Sequence, residues 1–421
     1  MVAPDRKIRL CLAAHSFFPA YGGAQLRFLR YIPGLRARGV DTEIFTGEYA
    51  PAAEDKGHGH RLGRMLPREE VEGAPLYRIC LPERKDDRRF LIFDAGLLKI
   101  CEREESRPHV IQLLNKLAPS SLRLLRRLQA SGIPIVYSVS IAPLEQKYGK
   151  SLGKSIKKYR NWRYYRKLYN QMDCIVTNNI QLKDMVREMG VRTRIEVIAN
   201  GIDFDRFQID TSHRIRHAVR QRLGIAGTDR VICSVGALIP RKGTDLLVEA
   251  WARLVKNHPD LHLMLVGPFV HTEEDPFRQH IQSVIEKSGH GSQVHFVGKV
   301  ENVEDYLSAA DVFVLPSERE GLPNSVLEAM ALSRPVVITP FIGLSADLGQ
   351  AEVHYLLSQR NVEDLAFHIA RLMNDPMLRM ALGQRGHQLV VETMDLQYSL
   401  DRYADLYKEL ANKTVSISIA R

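Results

Sequence analysis

The sequence predicts an α/β protein built from two doubly wound parallel sheets that face each other across a cleft. Three observations carry that expectation. Short, β-rich apolar runs alternate with amphipathic helical stretches along the whole chain. The alternation pauses near Asn200–Gly201 and then restarts. A chain of 421 residues also exceeds what one ordinary core encloses, at roughly 150 residues per domain. The expected division is a first domain over 1–200, a second over 201–392, and a final helical segment over 393–421 that returns to the first.

Taken in order, KIRLCLAA reads as the first strand, followed by a turn with Gly22 and Gly23 and a helix from about Ala24 to Arg38. DTEIFT is the next strand. The stretch Tyr49 to Pro75 is polar and rich in Gly, Pro and His and reads as a loop. His58 and His60 lie inside it without a third ligand in view, so a loop rather than a metal site is expected. HVIQL, PIVYSVS, DCIVTN and RIEVIAN continue the first series, with helices between them. DRVICSVG, LHLMLVG, QVHFVG, DVFVLP and PVVIT form the second. Open parallel sheets of this kind bind ligands at the C-terminal ends of their strands. In the last helix, Leu400, Tyr403, Leu406, Tyr407 and Leu410 share one face, and the tail TVSISIAR is expected to fray.

The composition excludes several classes. A hydrophobic fraction of 45% and a charged fraction of 26% are those of a soluble globular protein. No apolar run approaches the ~20 residues of a membrane-spanning helix, and no leader peptide is read at the start, so a cytoplasmic protein is expected. The five cysteines are scattered and lack a C-x-x-C spacing, which fits reduced thiols. The net charge of +10 is concentrated from Gln146 to Met172, where nine Lys and Arg stand without an acid. Leu152, Ile156, Tyr159, Trp162, Tyr165, Tyr169 and Met172 recur there at helical spacing. Two readings of residues 147–172 stand: a peripheral helix on an anionic membrane surface at the inner face, or a domain helix whose basic side is solvated. No nucleic-acid recognition motif accompanies the charge, and no nucleic-acid partner is expected.

The chemistry-bearing motif is PSEREGLPNSVLEAMA. DVFVLPS before it reads as a buried strand, and Pro323, Asn324 and Ser325 open a helix carrying Val326, Leu327 and Met330. Glu320 therefore sits in the strand-to-helix turn and Glu328 about one turn inside the helix. Two carboxylates so placed can hold opposite ends of one ligand, while the helix start offers N–H groups to a phosphate between them. In SVGALIPRKGTDLLVEAW, Arg241, Lys242 and Gly243 stand at the head of a helix with Leu246, Leu247 and Trp251. Lys242 would aim a cation at the same phosphate.

Together with ANGIDFDRF and the Gly22–Gly23 turn, these segments resemble the retaining glycosyltransferases of family four, with the GT-B architecture of two Rossmann-like domains. The resemblance spans nearly the whole chain, its most specific parts being EGLPNSVLEA, PRKG and ANGIDFDRF. It implies an N-terminal acceptor-side domain and a C-terminal domain for a UDP- or GDP-linked sugar donor. It further implies that Lys242, with Arg241, contacts the diphosphate, and that Gly22, Gly23, Asn324 and Ser325 add backbone donors. Glu328 would hold the ribose, Glu320 the donor sugar, and Lys299 and Val300 would meet the base, with Gly321, Leu322 and Pro323 completing the loop. Glu320 and Lys242 are the expected catalytic residues, the acids positioning the donor rather than acting as a hydrolytic pair. No metal or cofactor is required by such a scheme, and Asp203-x-Asp205 is read as structural.

The chain departs from the family pattern at two places. Ala237 follows Gly236 where many members carry an arginine, and Ser140 stands where the family often has a histidine near the transferred sugar. His15 and Ser140 are the acceptor-side candidates. The implied function is transfer of a sugar to a glycan or lipid-linked acceptor in cell-envelope or exopolysaccharide synthesis. The alternatives are a glycosyltransferase of small soluble acceptors and a nucleotide-sugar-binding protein weakened in catalysis.

Overall fold

The computed structural model describes residues 7–17, 22–49, 67–81, 87–103, 106–114, 121–141, 162–210, 212–270 and 274–419. The chain divides into two compact units, one built from the residues up to Asn200 plus Gln397 onward, the other from Gly201 to Leu396.

In the first unit the strands are β1 (Ile8–Ala14), β2 (Val40–Tyr49), β3 (Arg68–Val71), β4 (Ala74–Leu81), β5 (Val110–Leu113), β6 (Ile135–Val139), β7 (Cys174–Thr177) and β8 (Arg194–Val197). They form one sheet in the order β3-β4-β2-β1-β5-β6-β7-β8, in which only the β3–β4 pair is antiparallel. Its described helices are α1 (Gly23–Ala37), α2 (Asp87–Cys101), α3 (Ser121–Ala130), α4 (162–169), α5 (Ile180–Glu188) and the terminal α13 (Leu396–Ile419). β1 is buried on both faces, as a central parallel strand must be.

The β3–β4 hairpin corrects the expectation of a continuous loop from Tyr49 to Pro75. Glu72 and Gly73 both have positive φ (52° and 72°), as a two-residue type I′ turn requires. The Arg36 guanidinium donates to Glu72 O at 3.2 Å and fixes that turn on α1. His58 and His60 lie outside the described residues. α13 also runs through Ile419, so the tail expected to fray is helical that far. Its buried Tyr403 ring meets Phe28 and Tyr31 of α1 at 5.3 and 5.9 Å, and Tyr407 donates to the buried Gln112 at 2.9 Å. The five cysteines form no disulfide; four are buried and Cys80 is exposed.

Residues 147–161 of the basic stretch 147–172 lie outside the described residues. In the described part Leu168, Tyr169 and Met172 are buried, with Tyr169 against Tyr137 at 5.4 Å. Arg163, Arg166 and Lys167 are exposed on the other side of α4. Among the described residues no helix is long and apolar enough to cross a membrane.

The second unit holds β9 (Arg230–Val235), β10 (Leu261–Val266), β11 (Val294–Gly298), β12 (Val312–Leu315), β13 (Val336–Ile338) and β14 (Leu356–Leu357). They run parallel in the order β11-β10-β9-β12-β13-β14. Renumbered from β9 this is 3-2-1-4-5-6, the doubly wound order whose direction reverses between the first and fourth strands. Helices α6 (Arg214–Leu223), α7 (Thr244–Leu254), α8 (Pro276–Ser288), α9 (Val303–Ala309), α10 (Asn324–Ala331), α11 (Val362–Asn374) and α12 (Pro376–Thr393) complete it. Trp251 of α7 is fully buried in this core, and its indole N–H is satisfied by Leu261 O at 3.1 Å. Met394 and Leu396 pair with Ile202 before the chain passes to α13.

Candidate active site

The reversal point of the second sheet places the ends of β9 and β12 side by side, and the loops that leave them carry the cations and the acid of the motif. Two glycines let the loops after β9, β10 and β12 approach one another. Gly267, after β10, has φ 144°, and a Cβ there would lie 2.0 Å from Gly236 O. Gly243 has φ 69°, and its Cβ would lie 2.2 Å from Pro316 O. The contact is completed by Glu318 N donating to Arg241 O at 2.9 Å and by the Arg241 guanidinium donating to Arg319 O at 2.6 Å. No side chain larger than hydrogen fits at either glycine without moving backbone.

Within that frame Pro240–Lys242 forms a single 3-10 turn before α7. Lys242 Nζ lies 2.8 Å from Glu320 Oε1, Arg241 reaches the same oxygen at 3.0 Å, and the Ser317 hydroxyl donates to it at 2.7 Å. Glu320 is itself fixed by its N–H, which donates to Ile342 O at 3.0 Å. Ser317 is tied in turn through its carbonyl, which accepts from the Thr339 hydroxyl at 3.0 Å. The Glu320 side chain is 10% exposed and that of Lys242 17%, so this is a buried ion cluster. Burial alone would push the Glu320 carboxyl up. The charges of Lys242 and Arg241, with the hydrogen bonds from Lys242 and Ser317, outweigh it and hold the carboxyl below its ordinary value. Two cations against one carboxylate leave a surplus positive charge in a low-dielectric place, where it attracts anions strongly. All these contacts fall on Oε1.

The other expected residues of this unit lie at the same end of the sheet. Gly321, Leu322 and Pro323 are buried in the turn after Glu320, and Pro323 serves as N-cap of α10. Proline has no side-chain acceptor to offer the first helical turn, where Asn324 is half-buried and Ser325 buried. Glu328, one turn in, is only 7% exposed. Lys299 and Val300 follow β11 and are half-buried. Direct contacts join Arg241, Lys242 and Glu320, and add Ser317, which sequence reasoning did not single out. Asp203 Oδ1 accepts from the N–H groups of Asp205 and Arg206 at 3.1 and 3.4 Å, closing a turn.

In the first unit, Gly22 is the N-cap of α1 and Gly23 its first residue, both exposed. Nothing lies within 4 Å of a Cβ built on Gly23. His15, after β1, is flanked by Phe90 and Phe93, with ring centroids at 4.7 and 4.2 Å. Ser140, after β6, accepts a hydrogen bond from Arg27 at 3.2 Å. Arg27 was missed, although a signal existed: it stands on the stripe of Phe28, Tyr31, Ile32 and Leu35, where an apolar residue is expected.

Comparison with known proteins decides the family. Residues 21–206 match the model described as Glycosyltransferase Family 4, and residues 215–389 match Glycosyl transferases group 1. The chain belongs to the family-four glycosyltransferases. This glycosyltransferase is 26% identical over 396 residues to the lipopolysaccharide core biosynthesis glycosyltransferase LpsE of Rhizobium meliloti (strain 1021), a match covering 94% of this chain and 97% of that one. Its fold is GT-B. Sucrose-phosphate synthase from Thermosynechococcus elongatus superposes with a TM-score of 0.76 at 20% identity, covering 96% of this chain and 99% of that chain. Anabaena HepE, solved in complex with UDP-glucose, does so with a TM-score of 0.73 at 18% identity, covering 96% and 100%.

Proposed function

We propose that this glycosyltransferase moves a sugar from a UDP- or GDP-linked donor to a hydroxyl of a glycan or lipid-linked acceptor, with retention at the anomeric carbon, in building a cell-envelope or exopolysaccharide glycan. The observation that carries the reading is the buried cluster of Lys242, Arg241 and Glu320 at the reversal point of the second sheet. Its surplus positive charge suits a diphosphate, and the start of α10, whose N-cap Pro323 makes no side-chain cap bond, would add backbone donors. In this reading the diphosphate draws Lys242 and Arg241 toward itself, and the freed Glu320 accepts hydroxyls of the donor sugar. Glu328 holds the ribose, and the backbone at Lys299 and Val300 meets the base.

The acceptor oxygen attacks the anomeric carbon on the face the diphosphate leaves. The carbon–oxygen bond to the β-phosphate breaks, and the acceptor proton passes to the departing phosphate oxygen. The side chains orient and neutralise charge in this scheme, which calls for no metal. That LpsE acts in lipopolysaccharide core biosynthesis and HepE binds UDP-glucose supports the envelope setting and the donor class. The exposed Arg163, Arg166 and Lys167 suit a peripheral position on anionic lipid.

A thermal-shift screen against UDP, GDP, ADP and their common sugars tests the donor class. Proton NMR of the sugar released from the preferred donor tests the stereochemistry: the first-formed anomer should match the donor, and the opposite anomer contradicts retention.

A further inference from the structure

Arg27 of α1 is only 5% exposed, and no carboxylate lies within ion-pair distance of it among the described residues. Its guanidinium donates to Asn200 Oδ1 and, at 3.2 Å, to Ser140 Oγ, while its Nε–H is buried with no acceptor. Asn178 Nδ2 reaches Ser140 O at 3.5 Å, and Asn178 Oδ1 is buried with no donor. Ser140, Asn178 and Asn200 follow β6, β7 and β8, three neighbouring strands, at the C-terminal ends where such sheets bind ligands. Among the described residues, the phenols Tyr403 and Tyr407 of α13 face Arg27, and neither neutralises it.

A guanidinium placed only to tie α1 to the strand ends would spend its donors on protein or carry a counter-ion. This one donates to Asn200 and Ser140 but leaves its buried Nε–H without an acceptor and has no counter-ion among the described residues, and burying an uncompensated charge costs several kcal/mol. The missing partner that fits is an oxyanion, whose oxygens a guanidinium fork can bind in pairs. The unspent Asn178 oxygen suits a hydroxyl next to that anion. A hydroxyl and an oxyanion side by side are what a sugar phosphate offers.

We infer that Arg27, Ser140 and Asn178 form a phosphate-binding subsite for the acceptor, so that the sugar accepting the transfer carries a phosphate group. This rests on the reading of the first unit as the acceptor side. Arg27 would then supply a positive charge beside Ser140, where the family often has a histidine.

The test is calorimetric titration of the full-length protein with inorganic phosphate, with and without saturating UDP or GDP. Phosphate should still bind when the nucleotide is present, and Arg27→Gln should weaken that binding about tenfold or more, with Ser140→Ala having a smaller effect. Arg27→Lys, which keeps the charge but not the fork, should fall between, and circular dichroism melts establish that each variant folds. Phosphate binding that is absent with nucleotide bound, or unchanged in Arg27→Gln, overturns the subsite. Dependence on Arg27 only in the absence of nucleotide would assign Arg27 to the donor diphosphate and overturns it as well. Nucleotide binding read on the same samples separates the two inferences: its absence, with an Arg27-dependent phosphate site intact, would remove the donor reading and leave this one.

Discussion

Lys242 Nζ and Glu320 Oε1 stand 2.8 Å apart, and the same carboxylate oxygen also holds Arg241. One acid thus restrains both cations that the diphosphate is proposed to engage, and it must release them when the donor binds. Glu320→Gln should therefore tighten binding of bare UDP or GDP by roughly tenfold while lowering turnover by a hundredfold or so, since removing one charge partner is worth about 1.5–3 kcal/mol. Calorimetry and initial rates on the same preparation check this. A variant that binds nucleotide no better than the parent contradicts the restraint.

Gly267→Ala should be severely destabilising, because its Cβ would lie 2.0 Å from Gly236 O and its φ of 144° disfavours any side chain. A loss of about 3 kcal/mol or more is expected, read as a lowered midpoint in urea. Gly23→Ala, with nothing within 4 Å of the new methyl, should cost little. Equal effects at the two positions would contradict the close approach of the loops after β9 and β10.

Two carboxyls of the first unit should make its stability fall as pH rises. Burial pushes Glu43 up to about 7 against the opposing pull of Arg103 and Arg9, and burial pushes Asp94 up to about 7. The folded form then holds protons that the unfolded chain, titrating near 4, has already lost. The stability these protons contribute is complete below that range and disappears as pH climbs to about 7. Glu43→Gln and Asp94→Asn should each raise stability at pH 8 by about 2 kcal/mol and change little at pH 4. Parallel melting curves for parent and variants across that window would contradict the burial of these acids.

Binding to the membrane surface is checked with vesicles containing anionic lipid. The protein should associate at low salt and lose most of that binding by about 0.3 M salt, and replacing Arg163, Arg166 and Lys167 together by Ala should weaken it severalfold. Absent or salt-insensitive association would leave α4 as a packed helix with a solvated basic side.

Much of the fold was legible because its central strands carry buried positions on both faces and read as mainly apolar runs. β1, β7, β9, β10 and β12 all do so. The β3–β4 hairpin was not, because its turn uses Glu72 in a conformation usually left to Asn, Asp or Gly, and β3 is an edge strand that opens with three charged residues in a row. β14, with two residues, is below the length at which a pattern exists. In the candidate site, the spacing from Glu320 to α10 is local and could be read directly. The bond from Lys242 to Glu320 joins positions far apart in the chain and depends on the order of strands β9 and β12, which no local pattern reports. Arg27 was hidden for a related reason, since its partners Ser140 and Asn200 come from distant strand ends.

The most direct measurement is a calorimetric titration of UDP and GDP into the parent protein and into Lys242→Ala. One of the two nucleotides should bind the parent in a saturable, one-to-one manner, and Lys242→Ala should weaken it by roughly tenfold to a hundredfold with the fold intact. Undiminished affinity in Lys242→Ala, or no binding of any nucleoside diphosphate by the parent, would contradict the assignment of the Lys242–Arg241–Glu320 cluster to the donor diphosphate.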